Sequence, residues 1–479
     1  MTADNSKDPA QLRGEDDAAS PVPAAPIEAK LAQRLYDLSS RPYRGLKDYW
    51  LFKLLSAASG PNSILPLKMA DRMRKSAAKR DPARYLSLVE NSASPGPQSM
   101  AAPPGATLRS DEYQPYDPPP AITPDVRVIA IYLPQFHPFE ENDLWWGKGF
   151  TEWTNVGKAL PVFAGHYQPH CPVHLGYYDL RIASVMEEQA KIAKEYGVGG
   201  FAYYFYWFDG RTIMEDPLKA MLANPRVDMP FSLTWANENW TRRWDGQEND
   251  ILIGQNHSLE DSRALIHHLA AYFRDSRYIR IDNRPVFTVY RPEAIPDIRA
   301  TTDLWRAEAR ALGFDGLYLM ATETSGRRDP RPLGFDAGVE FPPIGFSAPK
   351  DPISLNIPDP SFEGRIHDYR QVVKQALAQP AADYPRFRTA MLSWDNTARK
   401  PKRADIFADF SIAEYRKWLS ALCHDARHKV GAAEDEKIVY VNAWNEWAEG
   451  THLEPDQRFG FAYLQATYEA LCEDNKRSD

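Results

Sequence analysis

Short apolar runs alternate with amphipathic helical patterns after residue 125. Eight runs rich in β-branched and aromatic residues predict buried strands, because each is short and bounded by polar or turn-forming segments. They are 126–134, 198–207, 231–236, 284–290, 316–322, 337–341, 388–394 and 437–444. Apolar residues at helical spacing predict helices over 184–197, 259–276, 302–313, 366–378 and 411–426.

The alternation of these strands with helices predicts an α/β fold, a (β/α)8 TIM-like barrel with enlarged loops over 125–479. The alternative is a doubly wound sheet, which would normally carry a glycine-rich phosphate turn after its first strand. Here the first strand runs instead into LPQFHP (133–138). We therefore expect the barrel.

Three segments of different composition precede the predicted barrel. Residues 1–26 are acidic and Ala/Pro-rich and are predicted to be disordered. Residues 27–90 contain 13 Lys/Arg against 6 Asp/Glu and apolar clusters that suggest short amphipathic helices. This basic segment either packs on the main domain or makes a peripheral contact with an anionic membrane surface. Residues 91–124 hold nine prolines and are predicted to form an extended linker.

Composition excludes several classes of protein. The 57 Lys/Arg and 65 Asp/Glu residues give a net charge of −8, so no global charge attracts nucleic acid. Mean hydropathy is −0.53, and no apolar run approaches the roughly 20 residues of a transmembrane helix. The polar start carries no secretory signal, and three cysteines cannot build a disulfide framework. We expect a cytoplasmic protein, with residues 27–90 as its candidate contact with the inner face of the membrane.

The ends of the predicted strands are rich in polar and aromatic side chains. Functional groups of a (β/α)8 barrel cluster at the carboxyl ends of its strands. Amides and carboxylates bind hydroxyl groups, and aromatic faces pack on sugar rings, so the combination favours an oligo- or polysaccharide substrate. The candidate substrate-binding residues are Gln135, His137, Trp146, Glu152, Trp153, Tyr203, Tyr206, Trp235, Asn237, Glu238, Trp240, Glu323, Glu340, Trp394, Asn445, Trp447 and Glu454.

Glu446 and Glu449 form the most closely spaced carboxylate pair among the candidate residues at the ends of the predicted strands. Glycosidic chemistry needs one carboxyl group to protonate the leaving oxygen and a second to act as nucleophile or base. The Trp-rich surroundings favour a raised pKa for one member of the pair. A structural alternative is that one glutamate caps a helix or pairs with Arg242 or Arg243, and Glu238 is a competing proton-transfer group.

Two further motifs carry weaker signals. The segment GHYQPHCPVH (165–174) has three histidines and Cys171, but its prolines prevent a helix that would align them. We therefore expect neither a metal site nor a cysteine nucleophile there. The segment GVGG (197–200) leads into a strand rather than a helix, which argues against phosphate binding.

Five segments together resemble a known family. They are YLPQFHPFEENDLWWGKGFTEWTNV (132–156), GHYQPHCPVHLGYYDL (165–180), FAYYFYWF (201–208), LTWANENWTRRWDG (233–246) and NAWNEWAEGTHLEPDQRFG (442–460). Over about 126–470 the chain resembles the WbsX-type domain of bacterial polysaccharide-biosynthesis proteins. That domain is similar to glycoside hydrolase family 99, the endo-α-mannosidase and endo-α-mannanase family.

The resemblance implies a (β/α)8 barrel that uses no metal or organic cofactor. It also implies a retaining mechanism in which the sugar 2-hydroxyl attacks the anomeric carbon and forms a 1,2-anhydro sugar. Carried over to this sequence, Glu446 would deprotonate the 2-hydroxyl, and Glu449 would protonate the leaving oxygen and then activate water.

Three functions remain open on the sequence. The first is a glycoside hydrolase or transglycosylase acting on an α-linked bacterial surface polysaccharide or its precursor. The second is a glycosyltransferase of O-antigen or capsule biosynthesis, the label that WbsX-type chains often carry. No nucleotide-sugar site is visible in the sequence, which favours the hydrolase. The third is a polysaccharide-binding protein without catalytic activity.

Overall fold

The computed structural model describes residues 109–473 apart from 243–246, 352–354, 356, 430 and 432. The predictions for residues 1–26 and 27–90, and for the first half of the 91–124 linker, lie outside the described residues. Within the described part of the chain, no helix is both long and apolar enough to cross a membrane.

A sheet of parallel strands forms the centre of the molecule. Numbered in chain order, its main strands are β1 (Arg127–Tyr132), β2 (Val198–Phe208), β4 (Phe231–Trp235), β8 (Arg284–Val289), β9 (Tyr318–Thr322), β10 (Ala337–Val339), β12 (Arg386–Phe387), β13 (Thr389–Met391) and β15 (Ile438–Asn442). The remaining strands are β3 (Arg211–Ile213), β5 (Trp240–Arg242), β6 (Gln247–Ile253), β7 (Arg280–Ile281), β11 (Arg365–Asp368), β14 (Asp405–Ala408), β16 (Asn445–Glu446) and β17 (Thr451–His452).

The parallel sheet nearly closes on itself. Its strand order is β12-β10-β9-β8-β4-β2-β1-β15-β13, and every neighbouring pair is parallel. The two end strands, β12 and β13, are separated in the chain by Arg388 alone. The structure is thus a nearly closed, TIM-like barrel of nine parallel strands, and the predicted strand 388–394 corresponds to the β12–β13 pair.

Nine α-helices accompany the sheet in the described residues. They are α1 (Glu140–Trp146), α2 (Glu152–Lys158), α3 (Ala183–Glu195), α4 (Asp216–Ala223), α5 (Leu259–Phe273), α6 (Ile298–Ala311), α7 (Tyr369–Leu377), α8 (Ile412–Arg427) and α9 (Ala462–Cys472). The five predicted helices correspond to α3, α5, α6, α7 and α8. Side-chain caps explain two of their starts: Ser258 accepts a hydrogen bond from the Asp261 amide, and Ser411 accepts one from the Glu414 amide.

Burial on both faces explains why the strands read as nearly continuous apolar runs. All five residues of β4, β9 and β15 are buried. Such runs are typical of parallel strands covered by helices. Trp305 of α6 illustrates how the helices cover the sheet. Its ring lies 5.6 Å from that of Phe287 of β8 and 6.1 Å from that of Trp235 of β4.

The second half of the predicted linker is built into the barrel domain. The Ser110 amide donates to the Arg458 carbonyl, and Gln114 forms a parallel bridge with Gly460. Gly460 has φ +56°, and a Cβ there would meet the Gln114 carbonyl oxygen at 2.1 Å. Within the described residues, backbone pairing to the barrel is thus already present at residue 110, ahead of the predicted boundary at residue 125.

Candidate active site

A tight hairpin after β15 carries both predicted catalytic glutamates. Glu446 ends β16, and Glu449 ends a short 3-10 turn (Trp447–Glu449). Gly450 closes the turn with φ +63°, and a Cβ there would lie 3.0 Å from the backbone carbonyl of Asp395. Only glycine combines that backbone conformation with such a close approach. The hairpin thus presents two carboxylates from one loop.

Arg399 joins these two glutamates to a third carboxylate. Its guanidinium lies 3.0 Å from Glu446 Oε2 and 2.8 Å from Glu152 Oε1, and it also hydrogen-bonds Glu449. Glu152 begins α2 and is fully buried. We call these four residues the carboxylate cluster. The sequence analysis predicted Glu152 as a substrate ligand but did not identify Arg399. It named Arg242 or Arg243 as the arginine that could pair with one of the hairpin glutamates.

The two glutamates of the hairpin differ in exposure. The Glu446 side chain is 6% exposed and the Glu449 side chain is 22% exposed. Burial raises the pKa of Glu446 to about 8, and the negative charge of Glu449 adds to the rise, while Arg399 opposes it. Burial likewise raises the pKa of Glu152, against the influence of Arg399. One arginine faces three carboxyl groups, so the cluster favours keeping a proton on Glu446 at neutral pH.

Two tyrosines of β2 face this cluster. Burial raises the pKa of both Tyr204 and Tyr206, and the charge of Glu446 is the next largest cause in each. Tyr203 points to the opposite face, where its ring lies 4.5 Å from Tyr132 in the core. The prediction chose Tyr203 with Tyr206 and omitted Tyr204. The two-residue alternation of a strand puts Tyr204 and Tyr206 on one face, and that signal was available in the sequence.

An aromatic group beside Tyr206 forms part of the rim. The Trp240 ring packs edge-on against Tyr206 at 5.3 Å, and Trp145 lies 6.4 Å from Trp240. Trp146 stacks on Phe150 at 5.5 Å. Trp146 and Trp240 were both predicted, and they belong to one small apolar cluster with Tyr206.

The segment after β1 buries two more predicted residues. Gln135 is fully buried, and neither polar atom of its side chain has a hydrogen-bond partner in the described residues. Its carbonyl accepts a hydrogen bond from the Glu152 amide, which places the segment beside the carboxylate cluster. His137 is also buried, and burial lowers its pKa. Asn142 of α1, which the prediction omitted, is buried with an unpartnered side-chain amide as well.

Several predicted ligands are instead used to hold the hairpin. The Asn445 side chain exchanges two hydrogen bonds with the backbone of Leu133, at 2.7 and 3.0 Å. Glu454 accepts hydrogen bonds from Trp447, Trp444, Gln189 and Tyr178, and burial raises its pKa to about 7. Asn445, Trp447 and Glu454 thus make contacts inside the fold, and their role as substrate ligands stays a prediction.

Asn237 and Glu238 also serve the fold. The Asn237 side chain bonds both the amide and the carbonyl of Arg291, at 2.7 and 2.8 Å. Glu238 forms an ion pair with the Arg291 side chain at 2.9 Å. The hairpin glutamates are also paired with an arginine, so the competing role of Glu238 in proton transfer stays a prediction.

Four other predicted ligands lie in structural contacts. Glu323 and Glu340 form buried ion pairs with Arg386, and Glu340 also pairs with Arg388. Trp235 packs edge-on against Trp305 in the layer between barrel and helices. Trp153 donates its indole N–H to the Tyr178 carbonyl and lies 5.5 Å from Trp447. Strand-end position alone does not separate such residues from those that reach the site.

The histidines of the 165–174 segment go to different partners. His166 bonds Asp395, and His174 bonds Glu188. His170 Nδ1 lies 2.8 Å from His452 Nε2, and Asp456 completes a buried group of three potential ligands. Ligands of a tetrahedral zinc ion stand about 3.3 Å apart, given bonds of roughly 2.0–2.1 Å. The shorter distance is that of a hydrogen-bonded histidine pair.

The site and its sequence match a described family. The family model "Glycosyltransferase WbsX" matches residues 128–467. The "Uncharacterized protein WxcX" of Xanthomonas campestris pv. campestris strain B100 is 45% identical over 345 residues, and the match covers 72% of this chain and 49% of that protein. The protein of the same name from strain ATCC 33913 matches equally well. The chain spans about half the length of these curated relatives.

Two solved structures that match the chain are more distant in sequence. A "Glycoside hydrolase-like protein" is 16% identical with a TM-score of 0.48, covering 74% of this chain and 97% of that one. The GH99 endo-alpha-mannosidase from Bacteroides thetaiotaomicron is 14% identical with a TM-score of 0.45, covering 74% of this chain and all of that one.

The match to the family model extends over nearly the whole barrel, from β1 into α9. Because of that match, the chain belongs to the WbsX family.

Proposed function

We propose that the protein is a carbohydrate-active enzyme that cleaves or transfers a glycosidic bond, with Glu446 and Glu449 as its reacting pair. The observation that supports this most directly is the carboxylate cluster. Both glutamates extend from one buried hairpin to one arginine, and the pKa of Glu446 is raised to about 8. Perturbed pKa values of this kind concentrate at catalytic sites.

The proposed mechanism is the retaining one that the family resemblance implies. Glu446 takes the proton of the sugar 2-hydroxyl while that oxygen bonds to the anomeric carbon. At the same time the glycosidic bond breaks, and Glu449 gives its proton to the leaving oxygen. In the second step Glu449 takes a proton from water and the water oxygen bonds to the anomeric carbon. The bond between that carbon and the 2-oxygen breaks at the same time, and Glu446 returns its proton to the 2-oxygen.

The environment of each glutamate suits its proposed role. Glu446 is the more buried of the two, and a carboxylate with a raised pKa is a stronger base toward a hydroxyl group once it is ionised. Glu449 is more exposed, which suits a group that meets the leaving oxygen and then water. Gln135, with its unpartnered buried amide, is the best-supported candidate for binding sugar hydroxyls.

The second candidate function is glycosyl transfer. It is favoured by the family description, which names a glycosyltransferase. The same pair of glutamates would act, but a sugar hydroxyl would replace water in the second step. Incubation with a nucleotide sugar and an acceptor, followed by measurement of released nucleotide, separates nucleotide-dependent transfer from hydrolysis.

The test of the main proposal is turnover of α-linked oligosaccharides by the full chain. Products are identified by mass spectrometry, and proton NMR reads the anomeric configuration of the first product. We expect retention, strong loss of turnover in Glu446→Gln and in Glu449→Gln, and unchanged turnover in the exposed control Glu363→Gln. If Glu238→Gln abolished turnover while both hairpin variants kept it, the assignment of the pair would be wrong. Binding without any turnover would favour the polysaccharide-binding protein.

A further inference from the structure

A cavity lies beside the 393–395 segment, and its lining does not include the hairpin glutamates. Its volume is about 310 Å³, which is the size of a small ligand pocket. Its wall includes Tyr167 from the 163–170 loop, Trp394 after β13, Phe407 of β14, and Arg458 and Phe459 before α9. We call it the side cavity. Aromatic rings on several sides give it the walls that a sugar ring packs against.

Arg458 brings an uncompensated positive charge to the side cavity. Its guanidinium lies 5.0 Å from the ring centre of Tyr167 and 5.5 Å from that of Phe459. Within the described part of the chain it forms no ion pair with a carboxylate. A guanidinium held on aromatic faces is pre-organised to bind a planar carboxylate through two N–H groups.

The negative charges in the same wall are already engaged. Asp409 forms an ion pair with Lys350. Asp395 is buried and accepts hydrogen bonds from His166 and from Gln168 at 2.5 and 2.6 Å. The His166 bond is donated by Nε2–H, because Nδ1 accepts from a backbone amide. The charge that remains to be neutralised in the wall is therefore that of Arg458.

Trp394 supplies an unused hydrogen-bond donor. The residue is 7% exposed, and its indole N–H is buried without a partner in the described residues. An indole nitrogen can only donate, and a buried donor without an acceptor costs about 1–3 kcal/mol. An oxygen atom of a ligand in the cavity would remove that cost.

We propose that the side cavity binds an acidic sugar residue, of the hexuronate class, within the polysaccharide on which the protein acts. The sugar carboxylate pairs with Arg458, a ring or hydroxyl oxygen accepts from Trp394, and the ring packs on the aromatic wall. This rests on the proposed carbohydrate function and names the class of glycan. The Asp395 amide donates to the Glu449 carbonyl at 2.7 Å, so the bound residue lies next to the backbone that supports the catalytic hairpin.

The test is ligand-observed NMR titration of the full chain carrying Glu446→Gln and Glu449→Gln, which makes the result independent of turnover. The probes are D-glucuronate, its neutral amide D-glucuronamide, and acetate. We expect glucuronate to bind at least about tenfold more tightly than glucuronamide, because a hydrogen bond to a charged group is worth about ten- to a hundredfold. Acetate, which lacks the ring, should not compete at equal concentration.

Variants locate that binding in the side cavity. Arg458→Met should weaken glucuronate binding at least about tenfold, and Arg458→Lys should weaken it less because the charge remains. Trp394→Phe keeps a ring but removes the N–H, and should cost about three- to tenfold. The control Arg299→Met changes an exposed arginine of α6 that pairs with Asp303, and should leave Kd unchanged.

Two results would overturn the inference. One is equal binding of glucuronate to Arg458→Met, Arg458→Lys and the parent chain; the other is absence of glucuronate binding to the parent. Either result leaves the turnover test of the hairpin glutamates untouched. Conversely, an inactive chain that still binds glucuronate through Arg458 would count against the proposed catalysis but not against the side cavity.

Discussion

Two groups of glutamates pair with arginines in the barrel domain, and they differ in charge balance. In the carboxylate cluster, three glutamates share one arginine; in the second group, Glu323 and Glu340 share Arg386 and Arg388. The sequence suggested a functional role for all five glutamates. The second group neutralises itself, as a structural network does, whereas the first keeps an excess of negative charge.

That excess has an energetic cost. Burying carboxylates without enough counter-charge destabilises a fold unless one of them keeps a proton. Burial favours the proton on Glu446, whose pKa is raised to about 8. We therefore propose that charge balance around an arginine distinguishes a reactive cluster from a structural one where strand-end position cannot. The following predictions test this comparison, from the largest effect to the smallest.

Glu449→Gln should lower kcat/KM by about 10²–10⁴-fold, because the amide can neither donate nor accept the transferred proton. The loss should be smaller on a substrate with a good leaving group, whose departure needs little protonation. Steady-state kinetics on matched aryl glycosides checks this, and unfolding in urea should show an unchanged midpoint. Equal losses on good and poor leaving groups would contradict the role.

Glu340→Gln should show the opposite pattern. It leaves the half-buried Arg388 without its carboxylate, and breaking a buried pair costs about 3 kcal/mol or more. We expect a lower free energy of unfolding in urea and unchanged kcat for the folded fraction. A large fall in kcat at unchanged stability would place Glu340 in the catalytic machinery and remove the distinction between the two groups.

The pH profile tests whether Glu446 belongs to the reacting pair. The mechanism needs one proton on the pair, and the pKa of Glu446 is raised to about 8, so kcat/KM should fall above about pH 8, where the pair loses that proton. Arg399 lowers that pKa, so Arg399→Met should shift the falling limb to higher pH, while Arg299→Met should not. A profile without a falling limb near pH 8 would contradict a reacting role for Glu446.

The smallest effect concerns the two faces of β2. Tyr204→Phe should raise KM about three- to tenfold if its hydroxyl binds substrate or the cluster. Tyr203→Phe should leave kinetics unchanged, since its ring belongs to the core against Tyr132. Kinetics of the two single variants, each with a thermal unfolding curve, decide this. Equal kinetic effects would show that the faces are not functionally distinct.

Local patterns were sufficient for the elements of the barrel. Each of the eight predicted strands has a counterpart, because buried parallel strands leave continuous apolar runs. The hairpin pair was also accessible, since Glu446 and Glu449 are three residues apart in a Trp-rich segment. The alternation of a strand also groups Tyr204 with Tyr206, although the prediction chose Tyr203.

What only the tertiary structure decided is which charged groups meet. Arg399 is 247 residues from Glu152 and 47 from Glu446, and no local pattern relates them. The same holds for Glu323 and Glu340, whose arginines reach them from a different strand. The sequence by itself determined the main strands, five of the nine described helices and the glutamate pair of the hairpin, because those depend on neighbours along the chain. Charge balance, burial and therefore pKa depend on neighbours in space, and closing the barrel is what sets them.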